Sequence, residues 1–152
     1  MKLAIGSDHG GYELKEKLKQ YIKDTFHYEV VDFGTHSTEA VDYPDFAFLV
    51  AAAVAEGQFP LGIIVDGAGI GSAIVANKLP GVRAGNCNDI YMARNSRAHN
   101  QANILTLGSQ VVGPGLAQEI VKVWLETSFE QRHQKRIDKI LHLEKQIYGF
   151  GK

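Results

Sequence analysis

The stretch LGIIVDGAGIGSAIVANK (residues 61–78) carries, in one piece, a short apolar run, a carboxylate, a glycine-rich turn and a helix-like segment. An apolar run of this length, closed by Asp66 and glycines, reads as a buried strand, and the spacing predicts a helix starting near Ser72. The rhythm recurs in both directions. KLAIGS precedes YELKEKLKQYIKDT, YEVVDFG precedes DFAFLVAAAVAEG, and after Lys78 come VRAGN, DIYMARNSRAHN, NILTLGS and GLAQEIVKVWLET. Five strand candidates alternating with helices predict βαβ units, and hence an open five-stranded parallel sheet with helices on both faces, of the doubly wound Rossmann or flavodoxin-like kind.

Beyond Thr127 the composition turns basic and amphipathic. Ile137, Ile140, Leu141, Leu143 and Ile147 form a partial helical stripe with no strand after it. A helical extension from about residue 130 follows, and its stripe suits either a subunit interface or its own domain. With 152 residues, 45% of them hydrophobic and 22% charged, the chain has material for one core, so residues 1–152 are expected to form one domain.

The formal charge of −1 argues against the broad basic surface that nucleic-acid binding requires. No stretch reaches the ~20 apolar residues that cross a bilayer. The single cysteine, Cys87, has no internal partner, and the opening MKLAIGSDHGG is interrupted too early for a signal peptide, so a cytoplasmic setting is expected. Small molecules and further copies of the chain are the expected partners.

In a parallel sheet, ligands gather beyond the carboxyl ends of the strands. Asp8 and His9 follow the first strand there, and the pair suits either a ligand site or a capped helix beside an exposed imidazole. Asp66 is followed by Gly67, Ala68, Gly69, Ile70 and Gly71, a loop able to present backbone N–H groups to a phosphate or a developing oxyanion. A Walker loop would end in Gly-Lys-Ser/Thr, and a dinucleotide fingerprint would read G-x-G-x-x-G after the first strand; neither is present. His99 and Asn100 stand before NILTLGS, where they suit sugar hydroxyls or a helix end. Arg132 and Arg136, spaced i, i+4, share a helix face that suits a phosphate or plain solvation. None of the six histidines falls in a metal-binding spacing, and no metal is expected.

Together, SDHGG, VDYPDFA, GIIVDGAGIGSAIVANKLPGVRA, YMARNSRAHNQANILTLGSQVVG and FEQRHQKRI resemble, in order, the RpiB/LacA/LacB family of sugar-phosphate isomerases, from residue 2 to about 140. The resemblance implies an aldose-ketose isomerase working through a cis-enediolate without metal or cofactor. D-ribose 5-phosphate and D-ribulose 5-phosphate are the leading pair, and galactose-6-, allose-6- or tetrose phosphates the alternatives. A non-catalytic sugar-phosphate-binding relative is the rival from another class. It also implies homodimers or homotetramers with shared sites. Asp8, His9 and Tyr43 would line the sugar pocket, and the loop from Gly67 to Ser72 would stabilise the enediolate. From a neighbouring subunit, His99 would assist ring opening, Asn100 would bond the sugar, and Arg132 and Arg136 would hold the phosphate. Three positions depart from the ribose-5-phosphate pattern. Asp66 and Ala68 stand where Cys and Thr are common, which makes Asp66 the candidate base, and Gln110 stands where Arg is usual.

Overall fold

The computed structural model describes residues 1–149; the last three positions of the expected domain lie outside the described residues. All five expected strands form: β1 (Lys2–Ser7), β2 (Glu29–Asp32), β3 (Leu61–Asp66), β4 (Ala84–Asn86) and β5 (Ile104–Gly108). They alternate with α1 (Tyr12–Phe26), α2 (Tyr43–Ala55), α3 (Ile70–Ala76), α4 (Ile90–Ala98) and α5 (Pro114–Glu126). A short 3₁₀ turn, Gln131–His133, then leads into α6 (Gln134–Tyr148). The sheet is parallel throughout, in the order β2-β1-β3-β5-β4.

Every residue of β3 is buried, as its unbroken apolar run requires of a central strand. Alternation along it feeds two cores. Leu61, Ile63 and Val65 pack with Leu14, Leu18 and Ile22 of α1 and with Ile120, Val121 and Trp124 of α5. Ile64 faces the other way, toward Val50, Ala51 and Val54 of α2 and Ala76 of α3. The crossovers therefore send α1 and α5 to one face and α2 and α3 to the other. Helix α3 begins at Ile70, two residues before its expected start near Ser72.

One core feature has no sequence signal. Lys15, on α1, is fully buried, and its Nζ donates to Asp32 Oδ1 at 2.7 Å, Asp32 Oδ2 at 2.6 Å and the Thr35 carbonyl at 2.7 Å. Lys19 adds a second cation to Asp32. Burial pushes the Asp32 carboxyl up, but the hydrogen bonds from Lys15 and Lys19 outweigh it and hold the group below the usual carboxylate range. The knot fixes the segment after β2, which is further tied to β1 through Ser7 N–H to Gly34 O and Thr35 N–H to Ser7 O, both 2.6 Å. Lys15→Ala should cost about 3–5 kcal/mol, because it removes one partner of a buried pair. Urea denaturation measures this, and a change below about 1 kcal/mol would assign the holding role to Lys19 alone.

Helix α6 leaves most of its stripe uncovered. Ile137 is buried, whereas Ile140, Leu143 and Ile147 are 40%, 55% and 75% exposed. Its far end is pinned by polar contacts, Gly81 N–H to Glu144 Oε1 at 2.7 Å and Tyr148 O–H to the Lys78 carbonyl at 2.8 Å. Among the described residues, no helix is long and apolar enough to cross a membrane.

Candidate active site

Because α1 and α5 leave toward one face and α3 toward the other, a crevice opens at the carboxyl edge around the end of β3. Asp66 closes β3 there and is 4% exposed. Its Oδ1 accepts from the N–H of Ala68 at 3.0 Å and from the N–H of Gly69, while Oδ2 accepts from the N–H of Ser72 at 3.0 Å and from the Ser72 hydroxyl. The carboxylate winds the glycine loop around itself. Gly69 turns the corner at φ 77°, where a Cβ would lie 2.6 Å from Asn86 Oδ1, so no other residue fits without strain.

Neighbouring strands hold the loop from outside. Thr106 Oγ1 donates to Gly69 O at 2.7 Å, Ser109 N–H to Asp66 O at 2.8 Å and Gln110 N–H to Gly67 O at 3.0 Å. Ile70 and Gly71 open α3, where no intrahelical acceptor exists, and among the described residues none takes their N–H groups. These two donors are available to an incoming oxygen. The Tyr43 ring packs against Gly71, so close that a Cβ there would come within 2.5 Å of it.

Asp8 follows β1 directly beside this loop. Its N–H donates to Val65 O at 3.3 Å, and its Oδ1 accepts from Gly11 N–H at 3.0 Å. Burial, and then the charge of Asp66, push the Asp8 carboxyl above its usual range, against the pull of the Gly11 N–H and of His9. His9 is exposed, and its Nδ1 stands 3.1 Å from both the N–H and the carbonyl of Val41, so the loop before Tyr43 orients the ring in either tautomer. The Ser109 hydroxyl closes this side by donating to Gly10 O at 2.7 Å.

The other expected residues assemble elsewhere. Helix α4 runs back against the strands, so His99 and Asn100 arrive at the sheet's amino edge, where Gly62 N–H donates to Asn103 O at 2.9 Å. A strand of six residues separates that edge from Asp66, about 20 Å at 3.3 Å per residue. Glu130 N–H donates to Ala98 O at 2.9 Å, which brings the turn before α6 to the same place. There the rings of His99 and His133 stack at 4.0 Å and 28°, with Arg136 Nη1 2.7 Å from His133 Nδ1 and Arg132 Nε 2.7 Å from Glu130 Oε2. Thus one group holds Asp8, His9, Tyr43, Asp66 and the loop through Ser72, and another holds His99, Asn100, Arg132 and Arg136. No single chain joins them.

His133 was visible in the sequence only as part of the arginine frame. Its ring is buried, and burial together with the charges of His99, Arg132 and Arg136 holds its pKa below the usual value, so it accepts from Arg136 as a neutral ring. Ligating atoms of His99, Glu130 and His133 lie within 4.8 Å of one another. Near-parallel stacked rings cannot both turn their nitrogens onto one metal ion, which must lie in each ring's plane. With two guanidinium groups alongside, the group suits an anion better than a cation.

Known proteins resemble this chain over nearly its whole length. The family profile described as Ribose/Galactose Isomerase matches residues 3–140. Ribose-5-phosphate isomerase B of Escherichia coli is 44% identical over 144 residues, 94% of this chain and 96% of that protein. D-erythrulose-4-phosphate isomerase of Pectobacterium atrosepticum is 38% identical over 148 residues, 96% of this chain and 97% of that protein. Among solved structures, ribose-5-phosphate isomerase B of Clostridium thermocellum superposes with a TM-score of 0.94 at 53% identity, covering 97% of this chain and 99% of that one. On the profile match, the near-complete coverage and the shared fold, the chain belongs to the ribose/galactose isomerase family and is an isomerase.

Proposed function

We propose that this chain interconverts D-ribose 5-phosphate and D-ribulose 5-phosphate through a cis-enediolate, in sites completed by a second copy of itself. The observation that carries the reading is the division of the expected residues between opposite edges of the sheet. One edge holds carboxylates and free N–H donors suited to proton transfer and an enediolate oxygen. The other holds Arg132 and Arg136, suited to a phosphate, beside His99, which assists ring opening, and Asn100, which bonds a hydroxyl. A pair of copies brings each half to the other's partner, as a homodimer or as a tetramer of such dimers.

Exposed apolar residues support the pairing. Ile140, Leu143 and Ile147 on α6 lie open, as do Ile70 and Ile74 on α3, which line a depression of about 410 Å³ beside the loop. The chain acts as one domain in the cytoplasm, where buried Cys87 stays reduced. Moving a proton between adjacent carbons calls for neither metal nor cofactor.

Proton NMR of the protein with D-ribose 5-phosphate in deuterated water tests the reading. Conversion with deuterium uptake at carbon supports it. A folded oligomer that converts other aldose phosphates faster transfers the activity to the second reading, a tetrose or hexose phosphate. Asp66, Ala68 and Gln110, together with the resemblance to the erythrulose-4-phosphate enzyme, favour that alternative. Arg136→Ala should raise KM about tenfold with kcat nearly unchanged, since a phosphate contact is present in ground and transition states alike. An unaltered KM would remove Arg136 from the phosphate site.

A further inference from the structure

Two carboxylates stand at the mouth of β1 and β3, and their hydrogen bonding differs. An ionised carboxylate offers about four lone-pair sites. On Asp66 all of them are taken, by the N–H groups of Ala68, Gly69 and Ser72 and by the Ser72 hydroxyl. For Asp66 to take a proton from a substrate carbon, it would have to release one of these donors, and those of Gly69 and Ser72 are buried.

Asp8 is placed differently. It is half-buried, and its one well-formed hydrogen bond comes from Gly11 N–H at 3.0 Å, with Gly10 N–H close by. Most of its acceptor capacity is unused. Its backbone is fixed to Val65, the residue before Asp66, and a Cβ on Gly10 would meet both its Oδ1, at 3.4 Å, and the Gly67 nitrogen, at 4.0 Å. The titratable groups that act on it are Asp66 on β3 and the adjacent His9, and burial together with Asp66's charge makes it more basic than an ordinary carboxylate.

We propose that Asp8, rather than Asp66, is the base that carries the proton between C2 and C1 of the sugar phosphate, while Asp66 is the clasp that folds the glycine loop. This rests on the isomerase reading above. In the forward direction Asp8 removes the proton from C2. The electron pair of the broken C–H bond becomes the C1=C2 π bond, and the C1 carbonyl π pair moves onto O1, facing the N–H groups of Ile70 and Gly71. The proton, which exchanges with solvent in part of the turnovers while it rests on Asp8, is delivered to C1, the O2 hydroxyl proton passes to O1, and O2 becomes the carbonyl. Nothing is consumed, and Asp8 ends as it began.

Asp8→Asn tests this with little disturbance, because the amide oxygen can still accept from Gly11. Turnover and solvent deuterium uptake should fall together by at least about 100-fold, the scale of a lost general base, with KM within about threefold and the melting temperature unchanged. Asp8→Glu should recover part of the exchange. An Asp8→Asn enzyme that keeps more than about a tenth of wild-type exchange would overturn the assignment and return the role to Asp66. Failure of the wild type itself to exchange deuterium with any aldose phosphate would instead remove the isomerase reading, and this assignment with it.

Discussion

Asp66→Asn should lower kcat/KM by about 1,000-fold and lower the melting temperature as well, unlike a substitution that touches chemistry alone. The reason lies in the donors around it. Four N–H and O–H groups converge on the two Asp66 oxygens. An amide nitrogen in place of one oxygen turns a donor toward donors. At least one buried N–H or hydroxyl then loses its acceptor, at about 1–3 kcal/mol, and the loop must shift to relieve the clash. The free N–H groups of Ile70 and Gly71 ride on that loop, and misdirecting oxyanion donors accounts for a loss on this scale. Steady-state kinetics with a thermal melt measure both arms, and KM should rise along with the fall in kcat. A variant that melts like wild type and loses only kcat would give Asp66 a direct chemical role.

Mixing two impaired variants, assayed at substrate below KM, should restore about a quarter of wild-type activity. One carries Asp66→Asn, and the other carries His99→Ala with Arg136→Ala. If each site takes its carboxylate edge from one copy and its arginine edge from another, neither parent forms an intact site. Random reassociation makes about half of the dimers mixed, and each mixed dimer has one intact site of its two, with both lesions in the other. The expected recovery is independent of which carboxylate moves the proton. Co-refolding at equal concentration, followed by the ribose 5-phosphate assay, gives the number. Activity no higher than the sum of the parents would mean that each chain completes its own site, which would require α6 and the end of α4 to rearrange.

The strand and helix rhythm was legible because it is local. The unbroken apolar run of β3 and the apolar stripes of α1 and α5 are properties of adjacent residues, and all five strands appear where short apolar runs predicted them. The glycine loop after Asp66 was legible for a related reason, since Gly69 is needed for a backbone angle closed to other residues. Lys15 was not legible. On α1 it reads as one more exposed lysine among Lys17, Lys19 and Lys23, and only the approach of Asp32 and the Thr35 carbonyl from another strand makes its burial tolerable.

The sequence by itself determined the class of fold, the carboxylates and glycines at the mouth of the sheet, and an amphipathic tail in need of cover. Each follows from short-range periodicity or from the conformational limits of single residues. Tertiary structure alone decided the strand order that sets Asp8 beside Asp66, and the distance that keeps His99, Arg132 and Arg136 away from both. It also decided how hydrogen bonds are shared among chemically identical groups. Two aspartates that look alike in sequence differ because one is surrounded by loop donors and the other is not, and those donors are brought in by the path of the chain, which no local pattern records.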